Sequence, residues 1–388
     1  MNKHVVFWSI TVGLGGMLFG MDMTVISGVE KTIKELWQLD DWTHGFAMAT
    51  ALYGTVIGAA FGGVPADKFG RKKTLFWIGL SFLISSLGAA MATDVNSFMI
   101  FRFLGGLGIG ASSVVAPIYI SEIAPAKHRG KLVISFQLNI VLGILIAYVS
   151  NYLISGLGEN DWRWMLGIVG LPSLLFSILI LFTPESPTFL LLHRNDQVGA
   201  KKVLNLVDPD PDGTIKRILA SQSKVSTTER IFTSKYFKPL LLAFLFSFFN
   251  QLSGINAVLY YAPRIFEKAH LDKSSALLQS AGIGVANLIF TLLGWYLIDR
   301  VGRKVLMYIG SIGYIVSLSL IAYSFYADSF ELVPMYIFAF IAAHAIGQGS
   351  VIWVFISEIF PKSVRASGMA WGSLTHWILA ALITNLFP

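Results

Sequence analysis

Eleven long apolar runs divide this chain, and they limit its fold more than any other feature. A bilayer core is spanned by a helix of about 20 apolar residues, and lipid admits only helices or closed barrels. With only 13% charged residues, the chain has about half the charge of a soluble protein. We therefore predict an all-α polytopic membrane protein. The runs cover about 5–29, 44–66, 74–93, 97–120, 131–155, 164–183, 236–266, 276–298, 304–325, 334–357 and 366–387.

Basic residues are unevenly distributed among the short connections between the runs. The connections after runs three and nine carry acids and no bases, whereas bases follow runs two, four, eight and ten. The positive-inside rule then places the N-terminus in the cytoplasm and the protein in the cell membrane as a multi-pass chain. These loops account for the net charge of +7, so no nucleic-acid partner is predicted. The absence of cysteine excludes disulfides and thiolate metal sites, and no metal or cofactor is expected.

Two opposite charges lie inside apolar runs, Asp22 in the first and Arg102 in the fourth. Each is eight residues inward from an acid predicted to lie outside, Glu30 and Asp94 respectively, so both share one depth. Charges within hydrocarbon are costly and usually work in ion or proton pathways. We predict that Asp22 and Arg102 pair and take part in proton coupling. The alternative is a structural carboxylate held by its neighbour.

A long polar insert at 184–235 separates an N-terminal half of six helices, 1–183, from a C-terminal half, 236–388. Its apolar residues have the spacing of short amphipathic helices under the bundle, at Leu190, Leu191, Val203, Leu204 and Ile218. The acids at 208–212 imitate the start of a calcium loop. Leu219 stands where that loop needs Glu, which favours a plain acidic turn.

Six residues at 105–110 (GGLGIG) resemble a nucleotide fingerprint but lie in the middle of an apolar run. No strand precedes them, so this interpretation is disfavoured. Gly106 and Gly110 instead form a small-xxx-small face, which predicts close helix packing.

The chain contains an internal repeat. The sequence SEIAP at 121–125, with Arg129, recurs 236 residues later as SEIFP with Arg365. The sequence DKFGRK at 67–72 likewise recurs 232 residues later as DRVGRK. These repeats predict two homologous halves, related by an axis along the membrane normal. Paired acids and bases at a membrane edge form contacts with two states, made only when that edge is closed. We therefore predict a cytoplasmic gate, against the alternative of topogenic charge alone, at Asp67, Arg71, Glu122, Arg129, Asp299, Arg303, Glu358 and Arg365.

These repeated motifs resemble those of the major facilitator superfamily, and within it those of the sugar porter family. The loop motif lies at 63–73, a PESP signature at 184–187, and a seventh-helix motif at 251–256 with Tyr260 and Tyr261. The resemblance implies two pseudo-symmetric halves with twelve helices. Eleven are present here, which leaves the C-terminus outside and the twelfth helix expected but absent. It also implies a monosaccharide substrate and function as a monomer.

The resemblance further implies which residues line the sugar site. Carboxamides both donate to and accept from sugar hydroxyls, and tryptophan offers an apolar face with an N–H. For each amide, helix–helix hydrogen bonding is the alternative. Asn250, His344 and His376 depart from the residues usual in the family, and each histidine is more simply an interior side chain with a satisfied partner. The other implied residues are Phe19, Gln137, Gln251, Asn256, Tyr261, Asn287, Trp353 and Trp377.

Proton-driven relatives carry aspartate at the position of Asp22, so we predict a sugar:proton symporter with Asp22 as the proton carrier. A facilitative uniporter, a transporter-like sugar receptor and an inactive truncated form are the alternatives. No nucleophile–base or metal constellation indicates an enzyme.

Overall fold

The structure, a computed structural model, describes residues 3–125, 129–222, 231–361 and 364–387. Ten helical segments in those ranges are long and apolar enough to cross a membrane. An eleventh long helix, Arg365–Leu386, follows them. This confirms the predicted all-α polytopic fold, since the described elements are all helices.

In its described residues the N-terminal half contains nine helices, and the last two together form one candidate membrane span. A 3₁₀ turn, Val25–Gly28, follows the first of the nine. The helices are α1 Lys3–Thr24, α2 Glu30–Leu36, α3 Asp41–Phe61, α4 Gly63–Phe69, α5 Arg71–Met91, α6 Val95–Ile123, α7 Arg129–Ile154, α8 Asp161–Gly167 and α9 Gly170–Ile180.

Local sequence explains where two of these helices begin. The side chain of Asp40 accepts the N–H of Thr43 at the start of α3, and Asp94 accepts from Asn96 and Ser97 at the start of α6. Capping carboxylates satisfy N–H groups that have no partner within the helix. These hydrogen bonds, chiefly to Thr43 and Ser97, lower the pKa values of Asp40 and Asp94.

The described part of the insert between the halves contains three short helices. Leu191, Ala200, Leu204 and Ile215 pack into one small apolar cluster. The acids of the calcium-like stretch 208–212 are occupied by local contacts, including one from Lys201 to Asp212. The helices are α10 Pro187–Arg194, α11 Gln197–Val207 and α12 Pro211–Gln222.

The part of the C-terminal half that the structure describes contains eight helices. A 3₁₀ turn, Ser234–Tyr236, precedes the first, and a π-helical turn, Ala345–Gly349, joins the sixth and seventh. They are α13 Phe237–Leu252, α14 Ile255–Tyr260, α15 Ala262–Lys268, α16 Lys273–Ile298, α17 Arg303–Tyr326, α18 Val333–His344, α19 Ser350–Ile359 and α20 Arg365–Leu386.

The predicted single span 236–266 is wrong in one respect, because the structure breaks it twice. Gly254 separates α13 from α14 with φ of +79°, a left-handed conformation that glycine adopts at little cost. A second break follows Tyr260, where Pro263 stands in the first turn of α15. Discontinuous helices are typical of transporter binding sites, since their freed backbone groups can line a cavity.

Helices α3 and α6 approach each other closely at the small-residue face. A Cβ on Gly106 would lie 1.9 Å from the carbonyl oxygen of Ala51, and one on Gly110 would lie 2.3 Å from that of Thr55. Only glycine fits at such distances. The 105–110 stretch therefore serves helix packing, as predicted.

Candidate functional site

Asp22 and Arg102 form an ion pair in the interior of the N-terminal half. The Arg102 Nη1 donates to Asp22 Oδ1 at 2.9 Å, and its Nη2 donates to the backbone carbonyl of Asp22 at 2.9 Å. Each residue is 1% exposed. The structure thus brings together the two residues that the sequence analysis expected to pair.

The second carboxylate oxygen of Asp22 is placed differently. Asp22 Oδ2 is buried and has no hydrogen-bond partner among the described residues. It faces Gly105, because a Cβ there would lie 3.1 Å from Oδ2 and 2.4 Å from the hydroxyl of Ser85. The carboxylate therefore keeps one unoccupied oxygen beside a small residue, at which a proton can be accepted.

A chain of hydrogen-bonded side-chain amides crosses the break between α13 and α14. Gln251 Nε2 donates to Asn250 Oδ1 at 2.9 Å, and Asn256 Nδ2 donates to Gln251 Oε1 at 2.8 Å. All three amides are buried, with exposures of 1–7%. The chain brings together three of the residues predicted to bind sugar.

Aromatic rings surround this amide chain. Gln251 Nε2 lies 3.1 Å from both ring nitrogens of His376. The His376 ring contacts Trp353 at a centroid distance of 5.1 Å and Trp377 at 4.9 Å. Phe19 of the other half meets Trp377 at 5.8 Å. The amides and indoles of the C-terminal half therefore face a phenyl ring of the N-terminal half, an arrangement suited to a polyhydroxylated ring.

Four further residues predicted to bind sugar make no contact with this amide chain in the described contacts. Tyr261 donates to the Thr384 carbonyl at 3.3 Å, and Asn287 accepts from Thr291 of its own helix at 3.5 Å. His344 bonds and stacks with Tyr314. Gln137 is half-buried on α7.

The predicted gate of the N-terminal half is a compact cluster. Arg71 Nε donates to Glu122 Oε2 at 3.1 Å, and Arg71 Nη1 lies 3.1 Å from Asp67. The Ser186 hydroxyl also donates to Glu122. Glu185, which the sequence interpretation left out, accepts the N–H groups of Arg71 and Lys72 at 3.0 and 3.1 Å. It thereby caps α5, so the PESP signature has a structural role.

The C-terminal half repeats this arrangement with greater exposure. Arg303 contacts Asp299 at 3.0 Å and Glu358 at 3.3 Å. Arg365 Nε donates to the Phe360 carbonyl at 3.4 Å. Arg129 begins α7, but its side chain lies outside the part of the chain that the structure describes.

The reach of the gate pairs bears on which end of the bundle they can close. The described pairs each join helix ends within one half, and among the described side chains no ion pair links the halves at this end. Their presence therefore does not by itself close the Glu122 end of the bundle.

The halves are instead linked at the opposite end, which we call the Glu30 end. Lys31 lies 2.6 Å from Glu267, and Arg264 lies 4.0 Å from the buried carboxylate of Glu30. The hydrogen bond to Glu267 raises the pKa of Lys31. His44 is fully buried, and its Nε2 lies 3.1 Å from both the carbonyl and the carboxylate of Glu30. A charged cleft of about 680 Å³ lies over these contacts. Sequence reasoning missed this network because it treated these charges only as signals of topology.

Comparison with known proteins finds similar chains over nearly the whole sequence. The family profile described as "Sugar (and other) transporter" matches residues 8–388. The "Glucose transporter GlcP" of Staphylococcus epidermidis is 35% identical, covering 100% of this chain and 87% of that protein. The "D-xylose-proton symporter" of Escherichia coli is 33% identical, covering 100% and 86%.

Solved structures match over a similar extent. The partially occluded inward-open conformation of the xylose transporter XylE from E. coli superposes with a TM-score of 0.89 at 31% identity, covering 100% of this chain and 91% of that one. The proton:xylose symporter XylE bound to 6-bromo-6-deoxy-D-glucose gives 0.84 at 32% identity, covering 99% and 88%.

Proposed function

The chain belongs to the sugar transporter family of the major facilitator superfamily, and from that premise we propose that it moves a monosaccharide across the membrane together with a proton. It is a multi-pass membrane protein with two pseudo-symmetric halves. We place its N-terminus and its Glu122 end in the cytoplasm. The curated relatives are transporters, so no enzymatic reaction is proposed. One chain supplies both walls of the site, which supports function as a monomer.

The amide–indole cluster around Gln251 is the observation that supports a sugar as cargo. Neutral amides match hydroxyls without trapping a charge inside the bundle, and the Trp353 and Trp377 rings offer faces to the C–H side of a sugar. Relatives of the chain include proteins named as transporters of glucose, arabinose and xylose. An aldopentose or aldohexose is therefore the proposed substrate, with His376 among its contacts.

Asp22 is the proposed proton carrier, because its Oδ2 is the one oxygen left without a bond in the ion pair. A proton on Oδ2 removes the negative charge that holds Arg102. The hydrogen bond from Arg102 to the Asp22 carbonyl survives that change. Protonation can therefore loosen the pair while α1 and α6 stay attached.

The contacts at the Glu30 end support an inward-facing state. They join the halves there, and the TM-score to partially occluded inward-open XylE, 0.89, exceeds that to the sugar-bound form, 0.84. Alternating access then consists of rocking one half against the other about the central site.

Counterflow in proteoliposomes tests the substrate assignment without any proton gradient. Liposomes loaded with one unlabelled pentose or hexose should take up the same labelled sugar transiently, for at least one sugar of the panel. Trp353→Ala should reduce that exchange, and Trp164→Ala, which alters an indole that is 71% exposed, should not. Exchange no faster than in empty liposomes for every sugar would overturn the proposed function.

A further inference from the structure

A hydrogen bond between the halves ends at the broken seventh span. The hydroxyl of Tyr148, on α7 of the N-terminal half, donates to the carbonyl of Leu259 at 2.7 Å. Tyr148 is 1% exposed and Leu259 8%. The bond therefore lies in the interior, where an unpaired carbonyl costs free energy.

The sequence explains why Leu259 needs this outside donor. In a continuous helix its carbonyl would accept the N–H of the residue four positions later. That residue is Pro263, which has no N–H. Leu259 lies in the last turn of α14, whose carbonyls lack intrahelical partners. The tyrosine of the opposite half supplies the missing donor.

The same face of α7 also contacts a break in the first span. Asn151, three residues after Tyr148, donates to the carbonyl of Val25 at 3.1 Å. That carbonyl lies where α1 passes into its 3₁₀ turn, three residues beyond Asp22. One turn of α7 thus binds the interrupted backbone of the first span in its own half and of the seventh span in the other.

The α14 segment also belongs to the candidate sugar site. Asn256, in its first turn, donates to Gln251 across the Gly254 break. Movement of α14 therefore changes the amide chain, and the bond from Tyr148 can exist only while the halves meet at the Glu30 end.

We propose that Tyr148 is a positioning residue that latches α14 through the Leu259 carbonyl, so that closure of the Glu30 end sets the position of Asn256 beside Gln251. The inference deepens the proposed function and rests on it only for the nature of the cargo. When the halves separate, the bond breaks and water satisfies the exposed carbonyl. In the closed state no water replaces the lost hydroxyl, so its removal favours opening.

Labelling of one cysteine tests the latch without sugar or a proton gradient. The chain has no cysteine, so Ser27→Cys provides a single reporter. Ser27 is 2% exposed and lines a cleft of about 210 Å³ beside Pro263. Tyr148→Phe keeps the buried ring and should raise the maleimide labelling rate of this reporter about tenfold, the effect of leaving one buried carbonyl unpaired.

Two further variants make the test specific. Tyr152→Phe, a half-buried tyrosine one turn further along α7, should leave the rate unchanged. Pro263→Ala restores an N–H four residues after Leu259, so adding it to Tyr148→Phe should return labelling towards the parental rate. Melting temperatures identify variants that have unfolded.

Three results would overturn the latch. They are parental labelling in folded Tyr148→Phe, an equal increase in Tyr152→Phe, or no rescue by Pro263→Ala. Because the readout contains no sugar, failure of the latch is distinguishable from failure of the proposed transport function.

Discussion

Arg102 binds Asp22 twice, through the carboxylate and through the backbone carbonyl of the same residue, each at 2.9 Å. The first bond depends on the charge of Asp22 and the second does not. Protonation of Asp22 therefore changes the strength of the contact more than its position. A carrier that must cycle many times needs such a contact, since a fully released guanidinium would remain buried without a partner.

Asp22→Asn should abolish accumulation of sugar against its gradient and leave sugar counterflow measurable. Asparagine keeps the shape but cannot carry the proton. The control is Asp94→Asn, at the cap of the helix that carries Arg102, because asparagine also caps helices well. Undiminished accumulation by Asp22→Asn in liposomes with an imposed proton gradient would contradict the coupling role.

Gln251→Ala should weaken sugar binding by about 1–3 kcal/mol, roughly five- to 150-fold in affinity. The variant removes the acceptor for Asn256 and the donor to Asn250, so the amide chain loses its fixed orientation. Calorimetry with the best sugar of the counterflow panel measures the loss. Native affinity in a folded variant would place the sugar elsewhere.

The two equivalent arginines at the Glu122 end should contribute unequally to stability. In the first pair, the side chains of Arg71 and Glu122 are 8% and 12% exposed, whereas those of Arg303 and Glu358 are 33% and 51% exposed. Arg71→Ala leaves a buried carboxylate without its main partner and should cost about 3–5 kcal/mol.

Arg303→Ala breaks a solvated pair and should cost at most about 1 kcal/mol. Denaturant unfolding of both variants in one detergent measures the difference. Equal destabilisation would show that exposure does not decide the strength of these pairs.

Much of the fold could be predicted from local patterns. Apolar runs and loop charges located the spans, and the two isolated charges located the ion pair at Asp22. The break in 236–266 was hidden because the run stays apolar through it, although Gly254 and Pro263 are both breakers. The contact between Arg71 and Glu122 joins two helices distant in the sequence, and the repeated motifs do not indicate which acid meets which base. The link between Lys31 and Glu267 joins residues 236 positions apart, and no local pattern predicts such a contact.

The ion pair between Lys31 and Glu267 should make closure of the Glu30 end sensitive to salt. Lys31→Gln should raise labelling of the Ser27→Cys reporter by up to about fivefold at low ionic strength, and less at high ionic strength, since exposed pairs contribute about 0–1 kcal/mol. Lys34→Gln is the matched control, because Lys34 pairs with Asp41 inside the same half. Equal effects of both variants would refute a link between the halves.

The contribution of Lys31 should not vary between pH 7 and pH 9. Its pKa in the closed state is raised above the ordinary value of 10.5, so its stabilisation is fully present below that value and is lost only as pH rises through the raised pKa. Labelling rates of the parental reporter and of Lys31→Gln should therefore keep a constant ratio over this range. A ratio that falls across it would contradict the assignment.

Proton movement driven by sugar alone tests the central claim most directly. Liposomes containing the purified protein and a trapped pH dye receive the best sugar of the panel on the outside. No proton gradient is imposed. The account predicts that the lumen acidifies as sugar enters, and that Asp22→Asn removes this acidification. Sugar entry at the normal rate with no change in luminal pH would contradict coupling and identify a uniporter.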